Sequence, residues 1–343
     1  MLWKDPLGGF RDPGQFWFLK NGEVGLKQPD ILIRTHSDPG QKTSQNFQTL
    51  KVLSIFAVVT GHYFENIEVL WIPVTVGLFI FAYSSAYFTT IKYDEKFDRR
   101  QYWLNKVSRV FKELVITNIF LLIFLVSQGE KDIFCWQTTV NFFGLTGFLN
   151  WLRIENPSPL GKGMWFMTLL WVFYSVYPSV VTWFRVKFTA CILAFVSLVC
   201  AYCLNQHIVI GHALFFTANA FVFGICTAKI KTGFSYRTSL LILISSFLAM
   251  VLLNFAISFK TINFILIFLF SASLVNCLKY IDIHPFIHKV GDYFSDCILQ
   301  IYLIHGYFFL HLSDQMLTDF AISLTMICLI SKILKKICLK IRL

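Results

Sequence analysis

Charge is scarce in this chain. Asp, Glu, Lys and Arg make up 14% of its 343 residues, where a soluble domain carries about 25%. That shortage excludes an ordinary water-soluble globule. Residues 1–46 hold no apolar core segment of the kind a cleavable signal peptide needs, so none is expected there. Also missing are a P-loop, G-x-S-x-G and H-E-x-x-H. None of the eight His is followed by four residues and an Asp, which removes the glycerolipid-type acyltransferase signature. Nine Cys are scattered, mostly inside apolar runs, and read as small buried hydrophobes rather than a disulfide framework. Cys200 and Cys203 form a CxxC, but no βαβ pattern surrounds it. His284 and His288 are spaced i,i+4 with a Pro between them and no third ligand nearby, so no metal site is expected.

Hydrophobic residues are abundant, at 56%, with 38 Phe among them. The formal charge of +11 does not point to nucleic acid, because the basic residues gather at the ends of apolar segments. Ten stretches have the length needed to cross a bilayer as helices: 47–65, 68–91, 104–127, 163–184, 188–204, 207–228, 238–257, 261–280, 293–312 and 315–335. A further apolar segment, 133–152, contains Gln137, Asn141, Gly144 and Gly147, which favour an interfacial or re-entrant piece. Connections between successive stretches alternate between poor and rich in Lys and Arg. This alternation predicts an all-α polytopic membrane protein, a bundle of about ten transmembrane helices with both termini cytoplasmic. Residues 1–46 form a polar cytoplasmic extension, 47–335 the bundle, and 336–343 a basic cytoplasmic tail.

Within the first span, "LKVLSIFAVVTGHYF" (50–64) carries Lys51 at its cytoplasmic end and His62 beyond the midplane. Eleven residues make nearly three helical turns, so the two side chains share one face about 16 Å apart. Lys51 reads equally as a positive-inside anchor or as an anchor for an anionic ligand. His62 reads as a functional group or as a His reaching interfacial water. A face with a cation inside and an imidazole outside suits the wall of a cavity that nearly crosses the membrane.

A basic residue, ten residues and a His in a first helix resembles the integral-membrane acyltransferase-3 family, with Lys51 where Arg is usual. Four later stretches follow in the family's order. "LFIFAYSSAYF" (78–88) is similar to its FFxxSG motif, with Ser84 on the Ser and Ser85 in place of Gly. "WLNKVSRVFK" (103–112) is similar to its basic run through Lys106 and Arg109, with Lys112 replacing a Pro. "GMWFMTLLWVFYSVYP" (163–178) resembles a stretch marked by Trp165, Phe166, Tyr174 and Pro178. "ILQIYLIHGYFF" (298–309) is similar to its YLxH element through Tyr302 and His305.

The resemblance implies transfer of an acyl group, acetyl above all, from cytosolic acetyl-CoA to a hydroxyl of an extracytoplasmic glycan at a bacterial inner membrane. It assigns His62 as general base. Lys51, Lys106 and Arg109, backed by Arg99 and Arg100, would bind the donor's phosphates, although Arg99 and Arg100 serve equally as topology signals. Ser84, Trp165, Tyr302, His305 and Glu65 are expected around the acceptor. Glu65 also reads as a solvated loop charge, His305 as a packed helix-interface His, and Trp165 and Tyr302 as interfacial aromatics. The alternative is a secondary transporter or glycan exporter whose path is lined by Lys51, His62 and His305.

Overall fold

A computed structural model describes residues 39–93, 97–184, 186–208, 213–230, 234–256, 260–312 and 315–341. All regular elements among them are helices. They are α1 (Pro39–Tyr63), α2 (Trp71–Lys92), α3 (Arg99–Ser127), α4 (Trp136–Phe142), α5 (Thr146–Trp151), α6 (Trp165–Val180) and α7 (Lys187–His207). After these come α8 (Leu214–Ile230), α9 (Tyr236–Ala256), α10 (Lys260–Cys277), α11 (Pro285–Ser295), α12 (Ile298–Ile304) and α13 (Met316–Lys340), with short 3₁₀ turns between some of them.

Among the described residues six segments are long and apolar enough to cross a membrane: Glu68–Lys92, Arg99–Ser127, Trp165–Phe184, Lys187–His207, Tyr236–Asn254 and Met316–Lys340. Leu214–Ile230 and Asn263–Cys277 are apolar but shorter. α1 begins at Pro39, ahead of the expected 47. Its early turns have partners, because Asn46 is buried and its amide donates to the carbonyls of Leu278 (2.7 Å) and Ile281 (2.9 Å) after α10. Residues 1–38 of the expected extension lie outside the described residues.

The 133–152 segment folds as two short helices, α4 and α5, each far too short to span. Polar side chains of neighbouring helices satisfy the backbone between them. Thr168 on α6 accepts from Gly147 N (2.7 Å) and donates to Gly144 O (2.9 Å), and the Asn118 amide on α3 donates to Phe142 O (2.6 Å). Irregular backbone in apolar surroundings is stable only with such partners.

The stretch expected as a continuous ninth span, 293–312, is interrupted. α11 ends at Ser295, α12 covers seven residues, a 3₁₀ turn spans His305–Tyr307, and the chain then leaves helical geometry through 308–312. Three side chains support that irregular strip. Tyr63 donates its hydroxyl to Leu310 O (2.9 Å), Ser323 Oγ accepts from Leu310 N (2.8 Å), and Asp319 Oδ2 accepts from Leu312 N (2.7 Å). Apolarity alone read this segment as helix, because its partners come from α1 and α13, distant in sequence.

The centre of the bundle is α1, α2, α8 and α10, packed through small residues. Gly77 on α2 lies against Ser54 of α1, and Gly224 on α8 lies against the Tyr83 carbonyl of α2. Small residues let helices approach closely where apolar contact in lipid offers little selectivity. By contrast, α7 and α9 expose most of their apolar side chains, as lipid-facing helices do.

Candidate functional site

The C-terminal end of α1 carries half-buried His62. Its ring meets the edge of Trp71 (centroids 5.4 Å, 90°) and lies beside His305 from the turn after α12 (5.3 Å, 42°). His305 is 2% exposed, and its Nδ1 is 2.6 Å from the Tyr302 carbonyl. A carbonyl only accepts, so Nδ1 carries the proton and Nε2 of the neutral ring holds the lone pair. Two hydroxyls fix the loop facing this pair. Tyr302 donates to Gly163 O (2.5 Å) and accepts from Phe166 N (3.1 Å), while Tyr307 accepts from Gly161 N (2.7 Å) and Lys162 N (3.1 Å). Gly161 (φ 101°) and Gly163 (φ 73°) occupy left-handed conformations that other residues rarely adopt.

Two cavities open around His62. One, about 410 Å³, is lined by Tyr63, Glu65, Asn66, His311, Met316 and Asp319 together with His62 and Phe309. The other, about 270 Å³, shares His62, Glu65 and Phe309 and adds Asn150, Lys162, Trp165 and His305. Among the described residues no group of three or more His, Cys, Asp or Glu side chains could hold a metal ion.

Midway along α1, three turns before His62, Lys51 sits over the Phe88 ring (5.7 Å). Lys106 bonds Thr89 Oγ1 at 2.6 Å and lies over Tyr174 (4.7 Å). Arg109, Lys51 and Lys92 are close enough for their charges to act on Lys106, so four basic side chains gather at one place. Like charges so placed repel one another, and an anion between them relieves that repulsion. Between Lys51 and His62, Ile55 and Val58 on the same stripe of α1 are 0% and 2% exposed. The two sites are therefore separated here by packed apolar side chains, where the spacing alone suggests a nearly continuous cavity.

The structure thus brings His62, Glu65, Trp165 and His305 to one cavity at the end of α1, and Lys51, Lys106 and Arg109 to one basic cluster three turns away along that helix. Tyr302 stands behind the cavity as a support for the loop. Arg99 and Arg100 lie exposed in the first turn of α3, where Asp98 caps the helix by accepting from Arg100 N (2.8 Å) and Gln101 N (3.1 Å). Ser84 is buried and donates to Phe81 O on its own helix, at neither site. Glu65 is exposed on the cavity rim.

Sequence reasoning missed Lys92, Asn150, Lys162, Tyr307, His311 and Asp319. A usable signal existed for Lys162 alone, in the "GKG" of 161–163, since paired glycines announce an unusual backbone. Comparison of the chain with family models, curated proteins and solved structures returns no match.

Proposed function

We propose that the protein is a membrane-embedded acyltransferase moving an acyl group, acetyl in the simplest case, from cytosolic acyl-CoA to a glycan hydroxyl at the outer face of a bacterial inner membrane. The observation that carries this reading is the polarity of α1. Midway along the helix Lys51 joins a basic cluster completed by Lys92 of α2 and by Lys106 and Arg109 of α3, and the end of the helix carries His62, paired with His305 in a polar cavity. The six long helices, with α1, the shorter α8 and α10, and the interrupted α11–α12 segment, make ten crossings with both ends cytoplasmic. The alternation of basic connections supports that topology.

In this scheme Lys51, Lys106 and Arg109 hold the donor's phosphates, with Lys92 beside them. Arg99 and Arg100, exposed on α3, attract the anion electrostatically before it docks. The pantetheine arm passes along the Ile55–Val58 stripe once the helices part. Trp165 offers a face for a sugar ring, and Glu65 and Ser84 complete the expected set, Glu65 from the rim and Ser84 through the packing of α2. His62 takes the proton from the acceptor hydroxyl, whose oxygen attacks the thioester carbonyl. The C–S bond breaks, and the departing thiolate takes the proton back from the imidazolium. No metal is needed for this step.

Mass spectrometry of envelope glycans from His62→Ala cells tests the assignment. Loss of O-acetyl with intact polymer is expected, and wild-type acetylation would overturn it. One observation favours a second reading, a transporter or glycan exporter: the broken α11–α12 segment, since helices interrupted near a binding site recur in transporters. Loss of the polymer itself from the surface would select that reading.

A further inference from the structure

We propose that His305 is a positioning residue for His62. Its Nε2 accepts a hydrogen bond from one ring N–H of His62 and aims the other His62 nitrogen at the acceptor hydroxyl. The inference rests on the acyltransferase reading and adds to it the group that orients the base.

Three observations carry it. First, His305 is fixed. It is 2% exposed, its Nδ1–H is committed to the Tyr302 carbonyl at 2.6 Å, and the Tyr302 hydroxyl is itself bonded to Gly163 O and Phe166 N. A histidine anchored in this way has one tautomer and one ring orientation. Second, its remaining nitrogen is an acceptor, and His305 lines the cavity that His62 also lines. A Cβ placed on Gly163 would lie 3.5 Å from His305 Cε1 and 3.7 Å from Nε2, so the absence of a side chain at 163 keeps that edge open. Third, the ring beside it is His62, with centroids 5.3 Å apart, a separation at which nitrogens of the two rings can share a hydrogen bond.

The arrangement supplies what a general base needs. One nitrogen is held by a neighbour so that the other keeps its lone pair on the substrate side, and the imidazolium formed on proton transfer keeps an acceptor for its N–H. Glu65, three residues beyond His62, is exposed on the rim, whereas His305 is buried and held by backbone. Trp71 closes the other side of the His62 ring edge-on, limiting its rotation.

The test uses the full chain in lipid nanodiscs, with His305→Gln and His305→Phe compared against wild type. Gln keeps an acceptor near the position of Nε2, while Phe keeps the volume and removes the acceptor. The first arm follows thiol release from acetyl-CoA, with envelope polysaccharide from a strain lacking the gene as acceptor. His305→Phe is expected to lower kcat about a hundredfold with KM for acetyl-CoA unchanged, a loss typical of a misaimed reactive group, and His305→Gln to recover much of it. The second arm needs no catalysis. Diethyl pyrocarbonate labels unprotonated imidazole nitrogens, and its rate at His62, read by peptide mass spectrometry, should change in the Phe variant and return toward wild type in the Gln variant. Equal His62 labelling in all three proteins overturns the inference, as does a Gln variant no better than Phe in both arms. Absence of thiol release from wild type with the labelling pattern intact would sink the acyltransferase reading and leave the histidine pair standing.

Discussion

Lys106 of α3 and Tyr174 of α6 meet, with the ammonium 4.7 Å from the ring centroid and held at 2.6 Å by Thr89 Oγ1. A lysine so placed is fixed by its neighbours and directed at the cation cluster. Lys106→Gln should raise KM for acetyl-CoA about tenfold, the equivalent of one charge-assisted contact, and leave kcat within a factor of a few. Steady-state kinetics on purified protein separates the two constants. Equal loss in both would show that Lys106 acts on more than donor binding.

Lys51→Arg tests the same cluster in the opposite direction. A guanidinium binds phosphate through a planar fork that an ammonium lacks. The variant should bind acetyl-CoA at least as tightly as wild type, whereas Lys51→Met should bind it weakly. Calorimetric titration with acetyl-CoA reads both. A topology anchor would tolerate both changes with no effect on binding.

Val58 stands on the line between the two sites and is 2% exposed. A donor arm passing from cluster to cavity must displace it. Val58→Trp would overfill that stripe, at a stability cost of about 1–3 kcal/mol. It should abolish transfer while acetyl-CoA still binds at the inner cluster. Retained transfer would mean the arm travels by another route.

Gly224 faces the Tyr83 carbonyl so closely that an added Cβ would lie 2.5 Å from the oxygen and 2.9 Å from the Ala86 Cβ. Backbone cannot yield as a flexible side chain can. Gly224→Val should therefore push α8 off α2 and cost about 3 kcal/mol or more, seen as a lower unfolding temperature in detergent. Gly129, whose Cβ would meet nothing within 4 Å, is the control for close packing: its φ of 77° leaves only backbone strain to pay when it becomes Ala.

Glu113 on α3 forms an ion pair with Lys335 on α13, and the Gln300 amide donates to the same carboxylate at 3.1 Å. The side chains are 16% and 12% exposed. Removing one partner leaves a poorly solvated charge, so Glu113→Leu should destabilise by about 3 kcal/mol, while the double change with Lys335→Leu should recover most of that. A double-mutant cycle on thermal or denaturant unfolding measures the coupling.

The helical crossings were legible in the sequence because length and apolarity alone mark them, and α2, α3, α6, α7, α9 and α13 fall where those signals put them. That 133–152 does not form one long helix was legible too, through Asn141, Gly144 and Gly147. What escaped was the loss of helix after α12, since every side chain that supports the irregular strip lies elsewhere: Tyr63 on α1, Ser323 and Asp319 on α13. The shared face of Lys51 and His62 was readable from spacing, but the packing of Ile55 and Val58 between them was not. Periodicity says which residues share a stripe, and neighbouring helices decide whether the stripe is open.

The irregular strip 308–312 has a bearing on how the protein is made. His62 emerges early in synthesis, whereas His305 and the strip that follows it emerge near the end. The strip is then held by Ser323 and Asp319 on the last helix. The cavity around His62 cannot be completed until α13 has been made and has folded back against the first helix. A nascent chain therefore carries His62 in an unassembled setting through most of its synthesis and closes the cavity around it only with its last helix.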